Sequence, residues 1–338
     1  MDKKTIILDE EKNTRLDAYL LGTGGEFREV TSRPAVMVIP GGGYDFCSDR
    51  EADPVAMGYL KAGFQVFVLY YSVSKYKEWP APLNDYETAM KLIRDHAEEW
   101  HVIPDQIAVC GFSAGGHLAG AAATMAVNRP NAAVLGYAVL GDDVKGCSET
   151  APDTIGAVDA DTPACFLFHA RNDGVVPVMN SIRFMEALCE KGISFESHIY
   201  AYGGHGFSTA DPSIQTEGSV CPRALNWMDD SIAWLKELFG GFGPEGRTAP
   251  RFAKQLNKDN EAMLSVDCTF GRVLGNPRGK EILAAFVDRY LKFTSLTPGG
   301  QTMVPPSTMV IREALSFEKL PDEAIDELNC ELLTIPNI

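Results

Sequence analysis

Six apolar runs recur along the first 202 residues, and each ends in glycine or a polar turn. Stretches with helical spacing of apolar residues separate or follow them. Strands that alternate with helices favour a mostly parallel central sheet flanked by helices, because each crossover helix must pack on the sheet. The runs cover 35–40, 64–71, 106–110, 132–140, 164–170 and 196–202, and the helical patterns cover 54–62, 85–100, 116–127, 178–191 and 223–238.

Two segments depart from this alternation. The amino-terminal stretch 4–22 reads as two strands around a polar turn, which predicts an antiparallel edge to the sheet. At 239–250 the glycine and proline content rises and the alternation stops, as is typical of a boundary. The sequence therefore predicts an α/β domain over 1–240 and a small, mainly helical C-terminal region of unassigned role over 241–338.

Charge and cysteine usage restrict the partners and the compartment. Acidic residues outnumber basic ones 46 to 30, and the net charge of −16 argues against a nucleic acid partner. The eight cysteines are scattered with no C-x-x-C pair, which indicates a reduced, cytoplasmic protein without a zinc site. Neither a secretion signal nor an apolar run of about 20 residues is recognisable, so we expect no membrane association.

The stretch "CGFSAGGHLAG", 110–120, places Ser113 between glycines immediately after an apolar run. A strand that turns at once into a helix strains the backbone at its apex, and glycines at 111 and 115 leave the room that such a turn needs. Ser113 is then an exposed hydroxyl at a helix amino terminus, suited to nucleophilic attack. A chance G-x-S-x-G is the alternative, but the required strand precedes it and the required helix follows.

A serine nucleophile needs a base and an acid, which follow it along the chain in this topology. His205 lies in "YGGHGF" after the last strand and is the predicted base, and Asp173 in "HARNDGVVP" is the predicted acid. Asp142 and Asp143, after the preceding apolar run, are competing acids. The other histidines are interpreted as structural: His96, His101, His117, His169 and His198.

A second glycine cluster, "IPGGGYDF" at 39–46, ends the first central strand. Its small residues let backbone N–H groups approach a substrate oxygen, so Gly42 and Gly43, with the N–H of Ala114, are the predicted oxyanion hole. Gly41 and Tyr44 are expected to line the substrate pocket. A phosphate-binding loop is the alternative, but the cluster has neither G-x-G-x-x-G spacing nor a P-loop lysine.

Other polar residues near these motifs have plainer interpretations. Asp85 is expected to cap the helix that follows it. Arg50 and Glu51 are expected in the first turn of a helix near the oxyanion loop. Trp79 fits a pocket wall and core packing equally well.

Together these pieces resemble the α/β-hydrolase superfamily, and within it the bacterial acetyl esterases and acetyl-xylan esterases. The similarity covers about 35–238, and it implies Ser113 as nucleophile, Asp173 as acid, His205 as base, and the glycines at 41–43 with Ala114 as oxyanion hole. Lipase-like relatives carry histidine before these glycines, where this chain has Pro40. The matching motifs are "IPGGGY", "SDREADPVA", "VFVLYYSV", "PAPLNDYETAMKLI", "IAVCGFSAGGHLA", "HARNDGVVP" and "GGHGF".

The resemblance implies a serine esterase that removes short acyl groups, above all acetyl, from sugars such as xylo-oligosaccharides, with no metal or organic cofactor. An arylformamidase or a peptidase on the same fold is one alternative. A catalytically inactive hydrolase fold kept for binding is another. The C-terminal region is expected to pack against the α/β domain or to form a homo-oligomer, because its helices carry few apolar residues.

Overall fold

The computed structural model describes residues 1–26, 29–211, 213, 218–243, 246–291, 305–318 and 320–337. Over these residues the chain divides into two units, Met1–Lys254 and Gln255–Ile338. No helix among them combines the length and the apolar character that crossing a membrane requires.

One sheet organises the first unit, and its eight strands in the described residues are β1 (Asp2–Asp9), β2 (Thr14–Leu20), β3 (Arg33–Ile39), β4 (Gln65–Tyr70), β5 (Val102–Phe112), β6 (Ala132–Gly136), β7 (Ala164–Ala170) and β8 (Phe195–Tyr200). They lie in the order β1-β2-β4-β3-β5-β6-β7-β8. β1 and β2 pair antiparallel, and β2 pairs antiparallel with β4. Every other pair is parallel, so the predicted mostly parallel sheet is confirmed.

Helices cover both faces of this sheet: α1 (Asp53–Lys61), α2 (Ala81–Asp95), α3 (Ser113–Met125), α4 (Met179–Glu190) and α5 (Trp227–Phe239). Successive residues of a strand point to opposite faces, and β3 shows the consequence. Its Met37 packs in one buried cluster with α2, α3 and α4, whereas Val36 packs in a second with α1 and α5. Both faces are buried, and the strands therefore read as continuous apolar runs.

Three local predictions need correction. The apolar run 132–140 is strand only to Gly136, because Tyr137 has a φ of 34° and leaves the extended conformation. Asp85 caps no helix, since α2 begins at Ala81, and its carboxylate accepts the N–H of Ser72 at 2.7 Å. Helix α3 begins at Ser113, earlier than the apolar periodicity from 116 indicates.

The second unit contains α6 (Phe270–Gly275), α7 (Pro277–Tyr290), α8 (Ile311–Ser316) and α9 (Asp322–Leu332). These helices enclose a buried hydrophobic cluster that includes Leu283, Phe286 and Leu328. Residues outside the helices, such as Leu264 and Val266, also belong to it. Two strands of two residues each, β9 (Phe242–Gly243) and β10 (Gly246–Arg247), pair antiparallel in the first unit, beyond the boundary that the glycine content indicates.

Candidate active site

Ser113 stands at the junction of β5 and α3 with a φ of 51°, a left-handed conformation that residues other than glycine rarely adopt. Glycines on either side make this turn possible. A Cβ at Gly111 would lie 2.3 Å from the carbonyl oxygen of Gly115, and a Cβ at Gly115 would lie 2.2 Å from that of Pro40. The sequence pattern G-x-S-x-G thus has a steric cause at this junction.

The structure brings Ser113, His205 and Asp173 together. Nε2 of His205 lies 2.9 Å from Oγ of Ser113, and Nδ1 lies 2.8 Å from Oδ2 of Asp173. Since a carboxylate only accepts, Nδ1 carries the proton and Nε2 can accept the hydrogen of the serine hydroxyl. Each residue follows a different parallel strand, β5, β7 or β8, and the carboxyl ends of these strands meet at one edge of the sheet.

Asp173 is held by more than His205. Its side chain is fully buried, and Oδ1 accepts the N–H groups of Val175 and Val176, each at 2.9 Å. Burial raises the pKa of this carboxyl, but hydrogen bonds from His169 and His205 outweigh it and hold the pKa well below the usual value. Asp173 is therefore ionised wherever a histidine beside it can act as a base.

The competing carboxylates are engaged elsewhere. Asp142 pairs with Lys145 at 2.6 Å on the surface. Asp143 accepts a hydrogen bond from the side-chain amide of Asn180 at 2.8 Å. Of the acids weighed from the sequence, Asp173 is the one in contact with His205.

The loop that carries His205 is held by hydrogen bonds where it begins. Oδ1 of Asn172 accepts the N–H groups of Gly203 at 3.0 Å and Gly204 at 3.1 Å. Gly204 has a φ of 64°, which lets the chain reverse there and return the imidazole over the sheet. The His205 side chain remains 18% exposed. Part of the imidazole is thus accessible from the surface.

His169, interpreted from the sequence as a structural histidine, belongs to this cluster. It is the penultimate residue of β7, is completely buried, and places Nε2 3.2 Å from Oδ2 of Asp173. The only signal in the sequence was its position four residues before the acid, in "HARND". Two of the remaining histidines have partners of their own: His96 stacks on Trp100, and His198 contacts Glu196.

The oxyanion loop, 41–46, lies directly against the serine. A Cβ at Gly41 would lie 3.0 Å from Cβ of Ser113. Within the residues that the structure describes, the N–H groups of Gly42 and Gly43 make no hydrogen bond to a backbone acceptor. Ala114 sits in the first turn of α3, where N–H groups have no intrahelical partner. These are the three N–H groups that the sequence predicts as the oxyanion hole, and that role stays a prediction.

Tyr44 does not line the pocket that the sequence predicted for it. It is 0% exposed, and its hydroxyl lies 2.6 Å from Nδ1 of His117. Nε2 of His117 lies 2.8 Å from the carbonyl oxygen of Pro152, and burial lowers the pKa of His117 to about 4. The neutral imidazole thus donates to Pro152 and accepts from Tyr44. Tyr44 thus packs in the interior and connects the loop to α3 through His117. The ring of Trp79 lies 5.4 Å from that of His117.

Family models match two parts of the chain. The BD-FAE model matches residues 26–135, which include the oxyanion loop and Ser113. The prolyl oligopeptidase family model matches residues 148–239, which include Asp173 and His205.

A curated acetylxylan esterase of Xylanibacter ruminicola is 30% identical over 260 residues, 68% of this chain and 54% of that protein. The first curated relatives are longer, and this chain spans 33% and 54% of their lengths.

Solved structures match about 70% of this chain over nearly their own whole length. MGS-M1, an α/β hydrolase from a Medee basin deep-sea metagenome library, is 38% identical with a TM-score of 0.66, covering 70% of this chain and 97% of that one. An acetyl ester-xyloside bifunctional hydrolase from Caldicellulosiruptor lactoaceticus is 29% identical with a TM-score of 0.59, covering 69% and 95%.

Proposed function

The chain belongs to the α/β-hydrolase superfamily, and on that premise we propose that it is a serine esterase with Ser113 as its nucleophile. One observation carries the proposal: an unbroken hydrogen-bonded series runs from Oγ of Ser113 through the His205 imidazole to the buried carboxylate of Asp173. A hydroxyl activated in this way attacks carbonyl carbon.

In the proposed reaction, Ser113 attacks the ester carbonyl while Nε2 of His205 accepts the hydroxyl proton. The negative charge that forms on the carbonyl oxygen is stabilised by the N–H groups of Gly42, Gly43 and Ala114. Asp173 keeps the proton on Nδ1 and stabilises the imidazolium. His205 then protonates the departing alcohol, and water releases the acid through the same steps.

We propose short acyl groups, above all acetyl, on carbohydrate as the substrate class. Two similarities support this choice: the acetylxylan esterase relative and the acetyl ester-xyloside hydrolase neighbour. The first name specifies acetylxylan, and the second specifies an acetyl ester and a xyloside, so acetylated xylo-oligosaccharides are the substrate that we propose to test first.

A peptidase is the second candidate, because the prolyl oligopeptidase family model covers the segment that contains Asp173 and His205. That segment supplies the acid and the base, which ester and amide hydrolysis share. The two reactions differ in the leaving group, so substrates that differ only there separate them.

The test is acid release from acetylated xylo-, manno- and pectic oligosaccharides, with p-nitrophenyl acetate, butyrate and octanoate as a chain-length series. A peptide p-nitroanilide and N-formylkynurenine test the alternatives. Ser113→Ala should abolish turnover, whereas Ser316→Ala, at an exposed serine of the second unit, should leave it intact. Turnover of the amide substrates without turnover of esters would contradict the esterase proposal, and no turnover of any substrate would favour a binding role.

A further inference from the structure

The turn Asp49–Glu51, in the motif "SDREADP", touches both loops of the candidate active site. We propose that Glu51, acting with Tyr137, is a positioning residue that holds the oxyanion loop and the His205 loop in one arrangement. This inference rests on the proposed esterase function and extends it to residues that contact none of the reacting atoms.

The carboxylate of Glu51 fixes the start of the oxyanion loop. Glu51 is 3% exposed, and its Oε2 accepts the N–H of Gly41 at 2.8 Å. The carbonyl oxygen of Pro40, in the same peptide unit, accepts the hydroxyl of Tyr71 at 2.8 Å. Because a peptide unit is planar, hydrogen bonds at both its ends fix its orientation. This peptide leads directly into Gly42, so its orientation aims the following N–H groups.

The other carboxylate oxygen of Glu51 is connected to the His205 loop through the hydroxyl of Tyr137. Oε1 of Glu51 accepts the hydroxyl of Tyr137 at 2.7 Å, and the same hydroxyl oxygen accepts the N–H of Ser208 at 3.0 Å. Ser208 lies three residues after His205, and the Tyr137 ring lies 5.2 Å from the His205 ring. The buried side chain of Glu51 thus connects the Pro40–Gly41 peptide, through Tyr137, to the loop that carries His205.

The turn itself also packs on the His205 loop. The carbonyl oxygen of Arg50 accepts the hydroxyl of Ser208. A Cβ at Gly206 would lie 2.6 Å from a guanidinium nitrogen of Arg50, so this glycine allows the close approach. These contacts do not involve the Glu51 carboxylate, so we expect the turn to stay in place when that side chain is changed.

A buried carboxylate that loses a hydrogen-bond donor is destabilised, because no water can replace that donor. Its donors are therefore held in place relative to one another. If either loop moved away, Glu51 would lose a donor. The two loops are therefore coupled through it. In catalysis the coupling matters because the oxyanion donors and the base must act on one carbonyl group at the same time.

The experiment uses the full-length chain and kcat per active site, counted from the burst with p-nitrophenyl acetate. In Glu51→Gln, the amide oxygen can still accept the N–H of Gly41, but the amide nitrogen cannot accept the hydroxyl of Tyr137. Tyr137→Phe removes the hydroxyl that accepts the N–H of Ser208. Each should lower kcat about 10-fold, while Glu51→Ala should lower it about 100-fold, the cost typical of losing one oxyanion donor. KM should stay within about twofold, since the interaction acts on the transition state.

Matched controls separate positioning from general destabilisation. Glu87→Gln changes a carboxylate that accepts backbone N–H groups of Val127 and Asn128, and Tyr86→Phe removes a buried hydroxyl that donates to Asn128. Both controls should keep kcat per active site. Glu51→Gln/Tyr137→Phe should cost about as much as the worse single variant, because both break the same connection. The inhibition constant of a trifluoromethyl ketone, which forms an oxyanion on Ser113, should rise by the same factor as kcat/KM falls.

The outcomes are distinguishable. A wild-type chain that hydrolyses no ester refutes the proposed function itself. An active wild type, inactive as Ser113→Ala, whose Glu51 and Tyr137 variants keep kcat per active site overturns this inference alone. Strictly additive losses in the double variant, or unchanged ketone inhibition, would also overturn it, because the two residues would then act separately or away from the oxyanion.

Discussion

Nε2 of His169 lies 3.2 Å from Oδ2 of Asp173, the oxygen that also contacts Nδ1 of His205 at 2.8 Å. The carbonyl oxygen of Val176 lies 3.0 Å from the same Nε2. Both neighbours are acceptors, so Nε2 carries a proton, and the hydroxyl of Ser181 at 2.8 Å can donate to Nδ1. A buried histidine thus supplies a second donor to the carboxylate that contacts His205.

His169→Phe should therefore weaken catalysis without touching the substrate. The phenyl ring fills a similar volume but donates nothing, so the pKa of Asp173 rises and its position loosens. We expect kcat/KM to fall about 10-fold, less than the roughly 100-fold that a 1 Å misplacement can cost, because His205 and two backbone N–H groups still hold Asp173. His169→Gln can still donate near the same place and should recover most of the loss. Equal losses in both variants, measured with p-nitrophenyl acetate, would contradict a donor role.

Asp173→Asn should be far more damaging. The amide oxygen can still accept the N–H groups of Val175 and Val176, so the amide nitrogen must face the protonated Nδ1 of His205. Two donors then oppose each other, the imidazole proton shifts to Nε2, and His205 can no longer accept the proton of Ser113. We expect kcat to fall by about 10³ to 10⁴.

Asp143→Asn is the matched control for that variant, because Asp143 is the competing carboxylate. The amide oxygen of the new side chain can still accept the hydrogen bond from Asn180. Its kcat should stay within about twofold of wild type. A larger effect at Asp143 than at Asp173 would reverse the assignment of the acid.

Two neighbouring glycines should differ in how they tolerate alanine. At Gly42, with a φ of 128°, a Cβ would lie 2.1 Å from the carbonyl oxygen of Phe46. At Gly43, with a φ of 63°, no atom lies within 4 Å of that position. Gly42→Ala must displace the loop and should lower kcat/KM about 100-fold or more. Gly43→Ala meets only the left-handed strain of about 1–2 kcal/mol. Similar losses for both, at equal amounts of folded protein, would argue against steric displacement at Gly42.

The sequence predicted what depends on local pattern. Buried strands appear as apolar runs, and the serine junction needs glycines at fixed positions, so the order of strands and helices and the proximity of Ser113, Asp173 and His205 could be anticipated. The catalytic roles of these three residues stay predictions until variants are measured.

Contacts between distant segments had no local signal. Tyr44 looked like a pocket residue because it follows the glycines, but its partner His117 lies on α3, far along the chain. Glu51 and Tyr137 are 86 residues apart in the chain, and their hydrogen bond joins a residue that follows β6 to the turn that follows the oxyanion loop. The core of the second unit was underestimated for a related reason, since loop residues such as Leu264 and Val266 contribute to it and helical periodicity does not count them.

The buried pair of Tyr44 and His117 should make stability depend on pH. Burial lowers the pKa of His117 from 6.5 to about 4 in the folded chain. As pH falls below 6.5, His117 binds a proton in the unfolded chain but stays neutral in the folded chain. The free energy of unfolding therefore falls. The loss continues to about pH 4 at roughly 1.4 kcal/mol per pH unit, about 3 kcal/mol in all. Below that pH both states are protonated and this contribution stops changing.

His117→Gln should abolish that part of the pH dependence, because glutamine can still donate to the carbonyl oxygen of Pro152 but does not titrate. Tyr44→Phe, which keeps the buried imidazole, should retain it. Urea unfolding between pH 4 and pH 7, followed by tryptophan fluorescence, measures the difference. All four tryptophans, 79, 100, 227 and 234, lie in the first unit, so the signal reports the unit that contains His117. Parallel stability curves for wild type and His117→Gln would show that the imidazole is protonated in the folded chain as readily as in the unfolded one.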